Sequence, residues 1–371
     1  MTGRTGVAWR AARGLAWWAG LALCATGSLG AGLAAPPAGA AISRPPPIAL
    51  QRIAPGVWWV AGAAGDADAA NRGAISNLII VADGARTWAL GSGPSAVYGR
   101  TLAAQVRRST GRRLTDVIAP WTRPELVLGA AGMPRVRLWA HADVAAAMAA
   151  RCPGCIDRLA QRLGPAAADL GTRQAPVPRQ LVHGEQGRLG PWHWWRVTRS
   201  RPDPGTVPGP AQQVTVWHLA NTGLWAAPGL LWADGAPDLR DSRVADMAVA
   251  VERLQALAST TPGSGPGQDA APRWLPEQGP PAGPHLLLQH AVYWAALSAA
   301  AAAAWGRGDA ETAPAPALPD VPQAWLASPR HALNWQRAWR EAEARAFDVA
   351  PPQAPALADR ARNEAAPAAG R

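Results

Sequence analysis

The sequence predicts an α/β fold, and three observations carry the prediction. Short β-prone runs alternate with amphipathic helices from Leu50 to Leu257. At Val117–Gly129, V-I-A-P-W-T-R-P-E-L-V-L-G, a buried strand runs into a loop and then a helix, the kind of junction where α/β proteins hold ligands. The composition suits a large core: 371 residues, 49% hydrophobic and 16% charged, fill one large domain or two small ones.

The chain begins with Arg4, Arg10 and Arg13, an apolar run from Leu15 to about Ala35, and then Ala38, Ala40 and Ala41. That is a charged region, an apolar region and an A-x-A-like cleavage site, so residues 1–41 read as a secretory signal peptide. An uncleaved membrane anchor is the alternative, because the apolar run is long. The mature protein is expected to be periplasmic or secreted. No later segment reads as a membrane span; the Ala299–Ala304 run is short and flanked by Arg307 and Asp309.

Residues 42–49 form a Pro-rich tether. Leu50–Ala61 reads as strand, turn and strand, and Ala74–Val81 as a β run. Asp83-Gly84 is a hairpin signal, with Arg86–Leu90 as the returning strand. Gly91-Ser-Gly-Pro-Ser95 breaks the pattern before an amphipathic helix from Tyr98 to Thr110. Leu114–Ala119 and Arg135–Ala140 are strands, and a helix follows over Ala142–Ala150. Trp192–Thr198, Val214–Leu219 and Leu224–Ala227 read as strands, and Val244–Leu257 as a helix with Met247, Val251, Leu254 and Leu257 on one side. Residues 50–266 are taken as the main domain. Residues 267–349 are a Gly/Pro-rich linker with helices at Leu286–Trp305 and Asn334–Phe347, and 350–371 a disordered tail.

The net charge of +11 is carried by arginine alone, since the chain has no lysine. The arginines are scattered singly, which reads as biased composition and solvated faces, not as a nucleic-acid surface. Membrane contact is expected only through an uncleaved N-terminal anchor. Cys152 and Cys155, in R-C-P-G-C-I, are expected to form a local disulfide in an oxidising compartment. A redox pair and a metal site are the alternatives, and zinc would need two further ligands. The seven histidines, His141, His183, His193, His218, His285, His290 and His331, read as capping or satisfied surface residues. Trp192-His-Trp-Trp195 reads most simply as a buried strand, with a sugar or quinone platform as the alternative.

The element order and several short motifs resemble the metallo-β-lactamase-fold hydrolases. Asn77 in A-I-S-N-L-I-I-V, Gly91-Ser-Gly-Pro-Ser95, Val127-Leu128-Gly129 and Pro262-Gly-Ser-Gly-Pro266 carry the likeness. The R-C-x-x-C-I segment and Arg330-His331-Ala-Leu-Asn334 through Glu341 resemble one branch in particular, the quinoprotein relay system zinc metallohydrolases. The resemblance implies an αββα sandwich, two mixed sheets face to face with helices outside, plus a C-terminal helical extension. It also implies a zinc-dependent hydrolase.

The zinc ligands, however, are absent. Matching on Val127-Leu128-Gly129 puts Trp121 and Arg123 at the first two histidines, Glu125 at the aspartate and Leu126 at the third histidine. Gly91 stands at the strand-end aspartate, Pro228 at the bridging aspartate and Ser264 at the last histidine. Catalytic zinc needs three or more N, O or S donors and an open position. Tryptophan, leucine and proline offer none, and arginine repels the metal. Trp121, Leu126 and Pro228 are expected to fill the vacated volume, with Arg123 and Glu125 as opposite charges in place of metal and ligands. The sequence thus implies no catalytic residues and no cofactor: a pseudoenzyme binding an unknown ligand or periplasmic protein. An active hydrolase with a rebuilt site is the alternative.

Overall fold

The computed structural model describes residues 47–172, 174–199, 213–239, 242–261 and 273–348. The signal peptide, most of the tether, the 350–371 tail and the Pro262–Pro266 turn with Ser264 lie outside them. Seven strands form the first sheet in the order β1 (Gln51–Ala54), β2 (Val57–Val60), β3 (Leu78–Asp83), β4 (Arg86–Leu90), β5 (Asp116–Ala119), β6 (Arg137–His141) and β7 (Gln180–Val182). Strands β1 to β4 are an antiparallel meander, and β4 to β7 run parallel. The second sheet has the order β12 (Arg273–Leu275), β11 (Leu224–Ala226), β10 (Gln213–Leu219), β9 (Trp192–Thr198), β8 (Gln186–Leu189). It is antiparallel except for the β11–β12 pair. Strand β12 falls within the stretch expected as linker, and there it completes a sheet edge.

Alternation along each strand makes the layers, because successive side chains point to opposite faces. Ile79, Val81, Trp88, Leu90 and Ile118 of the first sheet meet Trp192, Trp194, Trp217, Leu219 and Leu224 of the second in one buried core. Their neighbours Leu78, Ile80, Ala89 and Val117 face the other way, toward the cluster that holds Leu102 and Val106 of α1 (Ala96–Thr110). In the second sheet Val197, Val214 and Val216 share that outer cluster with Met247, Val251 and Leu254 of α4 (Val244–Thr260). The expected αββα sandwich is what forms. Trp192 and Trp194 belong to the intersheet core, and Trp195 stacks at 5.2 Å on Trp225, so the tryptophan cluster is structural.

The short α2 (Pro124–Val127) opens after β5, and the 22-residue α3 (Ala142–Leu163) follows β6. His141 caps α3, accepting from the Asp143 N–H at 3.2 Å. The C-terminal extension is α5 (His285–Gly306), α6 (Gln323–Leu326) and α7 (Pro329–Asp348). By length and composition α5 is apolar enough to cross a membrane, which the sequence reading had not recognised. Here it packs against α4 and α7, burying Leu286, Leu287, Tyr293, Trp294 and Leu297.

Three histidines read as capping or surface residues, His218, His290 and His331, are instead buried. His218 stacks on Trp225 at 4.2 Å, and His290 is fully buried in α5. The Trp232 N–H donates to His290 Nε2 at 3.1 Å, so the proton sits on Nδ1, 2.8 Å from the Leu286 carbonyl. Burial pulls the His290 pKa down to about 4.

Helix α7 locks distant segments together. Arg330 donates to Gln278 Oε1 at 3.0 Å, to the Gly65 carbonyl at 3.1 Å and to Asp66 at 2.9 Å. Asn334 donates to the Pro237 carbonyl at 2.8 Å and to Tyr293 Oη at 2.9 Å. Arg243, the residue before α4, makes no side-chain cap, and Glu341 of α7 accepts from the first N–H of α4, at Val244, at 2.8 Å.

Candidate functional site

The loop Pro120–Arg123 leaves β5 and enters α2, with Pro124 at the helix start where its missing N–H costs nothing. Around this loop the structure gathers the positions at which the resemblance places metal ligands. Leu126 and Pro228 line one small space together with Leu90, Pro120, Asn77 and Glu277. Its open volume is about 10 Å³. One water needs roughly 10–15 Å³, so the side chains leave little room there. Gly91 sits beside it with φ +81°; a Cβ there would lie 2.6 Å from Leu78 Cδ2 and 3.3 Å from Leu126 Cδ2. Trp121 is buried against Gly229, whose own Cβ would come within 2.9 Å of the indole. Trp121, Leu126 and Pro228 are all buried here.

The charges are arranged differently from the expectation. Arg123 does not pair with Glu125; its partners are Asp238 and Glu277, the latter at 2.9 Å. Glu277 Oε2 accepts from the Gly229 N–H at 2.8 Å. Arg199 reaches the same spot, donating from Nε to the Gly229 carbonyl at 2.7 Å and from Nη2 to the Asp238 carbonyl at 2.6 Å. Both guanidinium groups lie within cation–π range of the Trp121 ring, at 4.9 Å and 4.8 Å. Burial works against the Arg123 cation, but the fields of Glu277, Asp238 and Glu125 outweigh it and raise its pKa. Burial lifts the Glu277 carboxyl above its ordinary value, against the pull of Arg123. Glu125 of α2 and Arg123 both line a larger cavity beside the loop.

Asp238 and Glu277 were missed in the sequence. Glu277 lies in P-E-Q-G-P, a stretch that reads as linker, and Asp238 in a short A-P-D-L segment. The available signal was Arg123 itself: a cation in an apolar loop demands a carboxylate partner.

On the Glu125 side lies a cavity of about 530 Å³ between the loop Trp121–Glu125 and α3, with Arg151, Cys155, Arg158 and Arg162 on its helix wall. This corrects the expected disulfide. The helix does not stop at Ala150 but continues through Cys152-Pro-Gly-Cys155 to Leu163, and both thiols are free. Residues three apart on a helix hold their Cβ atoms about 5–6 Å apart, against about 3.8 Å in a disulfide. Cys152 is buried, and desolvation pushes its thiol up to about 12. Cys155 is partly exposed, and Arg158 Nη2 donates to its Sγ at 3.2 Å.

No family model matches the sequence, and no curated protein matches it. Solved structures are similar at low identity. The metallo-β-lactamase FIM-1 from Pseudomonas aeruginosa in its mono-zinc form is 14% identical, covers 69% of this chain and 98% of its own, and has a TM-score of 0.47. A metallo-β-lactamase from Erythrobacter litoralis is 13% identical, covers 67% and 96%, with a TM-score of 0.46. One from Hirschia baltica is 14% identical, covers 67% and 98%, with a TM-score of 0.45. The αββα sandwich of this chain stands on its own sheets and helices.

The residues present do not fit zinc. The side chains around the small space are hydrocarbon, an amide and a carboxylate already bound to Arg123 and the Gly229 N–H. Among the described residues no group of three His, Cys, Asp or Glu side chains could hold a metal. Ser264 lies outside the described residues.

Proposed function

We propose that this chain is a non-catalytic protein on a metallo-β-lactamase-like sandwich, exported to the periplasm or secreted, that binds a ligand or a partner protein. The small space among Leu90, Leu126 and Pro228 carries the reading: it is lined mostly by hydrocarbon and leaves little room for a metal and its water. The Arg123–Glu277–Asp238 cluster beside it supports the same view, since a cation now stands where donors are required. Kinship with the quinoprotein relay branch rests on R-C-P-G-C-I and R-H-A-L-N alone, and a partner in such dehydrogenase systems is our proposal by fold analogy.

The test is metal content and hydrolysis on the purified protein, before and after chelation, with β-lactam, thioester and lactone substrates. Substoichiometric zinc and no turnover are expected. Stoichiometric zinc lost together with activity on chelation would overturn the reading. So would chelator-insensitive turnover, which would mark a rebuilt hydrolytic site.

A further inference from the structure

We propose that the cavity between α3 and the loop Trp121–Glu125 is a binding site for a small polyanion, a molecule with two or more carboxylate or phosphate groups. This deepens the ligand-binding reading above by naming the ligand's chemistry and its place.

The cavity, about 530 Å³, falls within the usual range of small-molecule sites, about 300–1,000 Å³. Its helix wall is built by spacing. Arg151, Cys155, Arg158 and Arg162 follow one another at intervals of four, three and four residues, which places them on one face of α3. These are all the arginines that α3 has, and all of them line the cavity. The helix's carboxylates, Asp143 and Asp157, do not. A solvated helix face mixes its charges; this one segregates them by sign, toward and away from the cavity.

The three cations are also available. Among the described residues Arg151, Arg158 and Arg162 make no ion pair, and all three are exposed. The opposite wall adds Arg123, already paired with Asp238 and Glu277, and one carboxylate, Glu125. The result is a concave basic surface with one acceptor. Guanidinium groups bind carboxylate and phosphate oxygens in bidentate fashion. Arg158 and Arg162 stand about one helical turn apart and Arg151 about two turns before Arg158, so separations of about 6 and 10 Å along the helix suit a ligand with several anionic groups. Single exposed ion pairs are weak, which makes multivalency the requirement.

The test uses the full chain, with citrate as the carboxylate probe and inorganic pyrophosphate as the phosphate probe, titrated calorimetrically at fixed ionic strength with acetate as the monoanion control. Saturable one-to-one binding of at least one probe is expected, and the preferred probe separates carboxylate from phosphate ligands. Arg158→Ala should weaken it about tenfold, the worth of one charge-assisted pair. Arg108→Ala, an equal charge change on α1 away from the cavity, should leave it unchanged. Glu125→Gln should tighten binding, and the charge-matched Asp157→Asn should not. Bound probe should also slow alkylation of Cys155 by iodoacetate, read by peptide mass spectrometry. Equal loss in Arg158→Ala and Arg108→Ala, or unprotected Cys155, would reduce the effect to bulk charge and overturn the site. Failure of both probes to saturate a zinc-free, inert protein overturns the anion site and leaves the non-catalytic reading standing. Zinc-dependent hydrolysis overturns that reading, while protection of Cys155 still decides the anion site.

Discussion

Arg123→Met separates a structural ion cluster from an incidental one. The substitution keeps most of the stem volume and removes the cation that Asp238 and Glu277 share. Glu277 is fully buried and Asp238 only 4% exposed, so neither recovers hydration. Glu277 keeps the Gly229 N–H. Removing one partner from a buried pair costs about 3–5 kcal/mol, most of it the stranded charge. For a domain of this size that lowers Tm on the order of 10 °C. The sign of the pH dependence follows. Without Arg123 the folded-state pKa of Glu277, already raised, rises further, so the folded variant binds a proton that the unfolded chain releases. The deficit should therefore be largest at pH 8 and shrink as pH falls toward 5. Adding Glu277→Gln to Arg123→Met removes the stranded charge and should restore about half of the loss, seen as a coupling energy in the double-mutant cycle. Denaturant unfolding followed by tryptophan fluorescence at both pH values measures each quantity. A deficit under about 1 kcal/mol, the level of an exposed pair, or no recovery with Glu277→Gln, would refute the reasoning.

Three further outcomes follow from the same geometry. His290, with its pKa near 4 in the fold and about 6.5 unfolded, should contribute stability above pH 6.5 that is lost by up to about 3 kcal/mol as pH falls to 4; protonation would aim Nε2–H at the Trp232 N–H, and His290→Gln should flatten this limb of the acid-unfolding curve. Gly91→Asp should lose at least about 2 kcal/mol in thermal unfolding without gaining zinc, because φ is +81° and Leu78 Cδ2 lies 2.6 Å from the new Cβ. A native thiol assay should titrate Cys155 quickly and Cys152 only on unfolding, with no two-proton mass loss across the pair under mild oxidant; a Cys152–Cys155 crosslink would contradict the helix running through both.

The fold was largely legible because its central strands are strong patterns. V-W-W-V, L-I-I-V and W-H-W-W-R-V-T are strongly apolar, β-prone runs that the sandwich buries. The edges were not legible. Strands β7 and β8, Gln180-Leu-Val182 and Gln186-Gly-Arg-Leu189, bury little and so lack the pattern. Strand β12 is three residues between breaker-rich stretches, recognisable only through its partner β11. Helix α3 was cut short in the reading because Pro153 lies in its interior, where it forgoes one helical bond. At the site, the burial of Leu126 and Pro228 followed from their apolar side chains alone. The partners of Arg123 did not, since Asp238 and Glu277 are 115 and 154 residues away and pairing at that distance is settled by tertiary packing. The cationic cavity was hidden for the same reason: arginines spread along the sequence converge only when α3 runs on past Cys155.

The clamp made by α7 has a consequence for how the molecule comes into being. Arg330 fastens the loop at Gly65, and Glu341 closes the start of α4, so bonds near the beginning of the sandwich wait for residues made near its end. Such long-range closure slows folding and leaves the partly made chain open. We expect a nascent chain halted before Arg330 to be digested by protease at the Ala63–Arg72 loop, and the full chain to resist; equal resistance would show that the sandwich closes without its last helix. An open, late-closing chain is also the form that a translocation channel can thread, which is what the export proposed above would require.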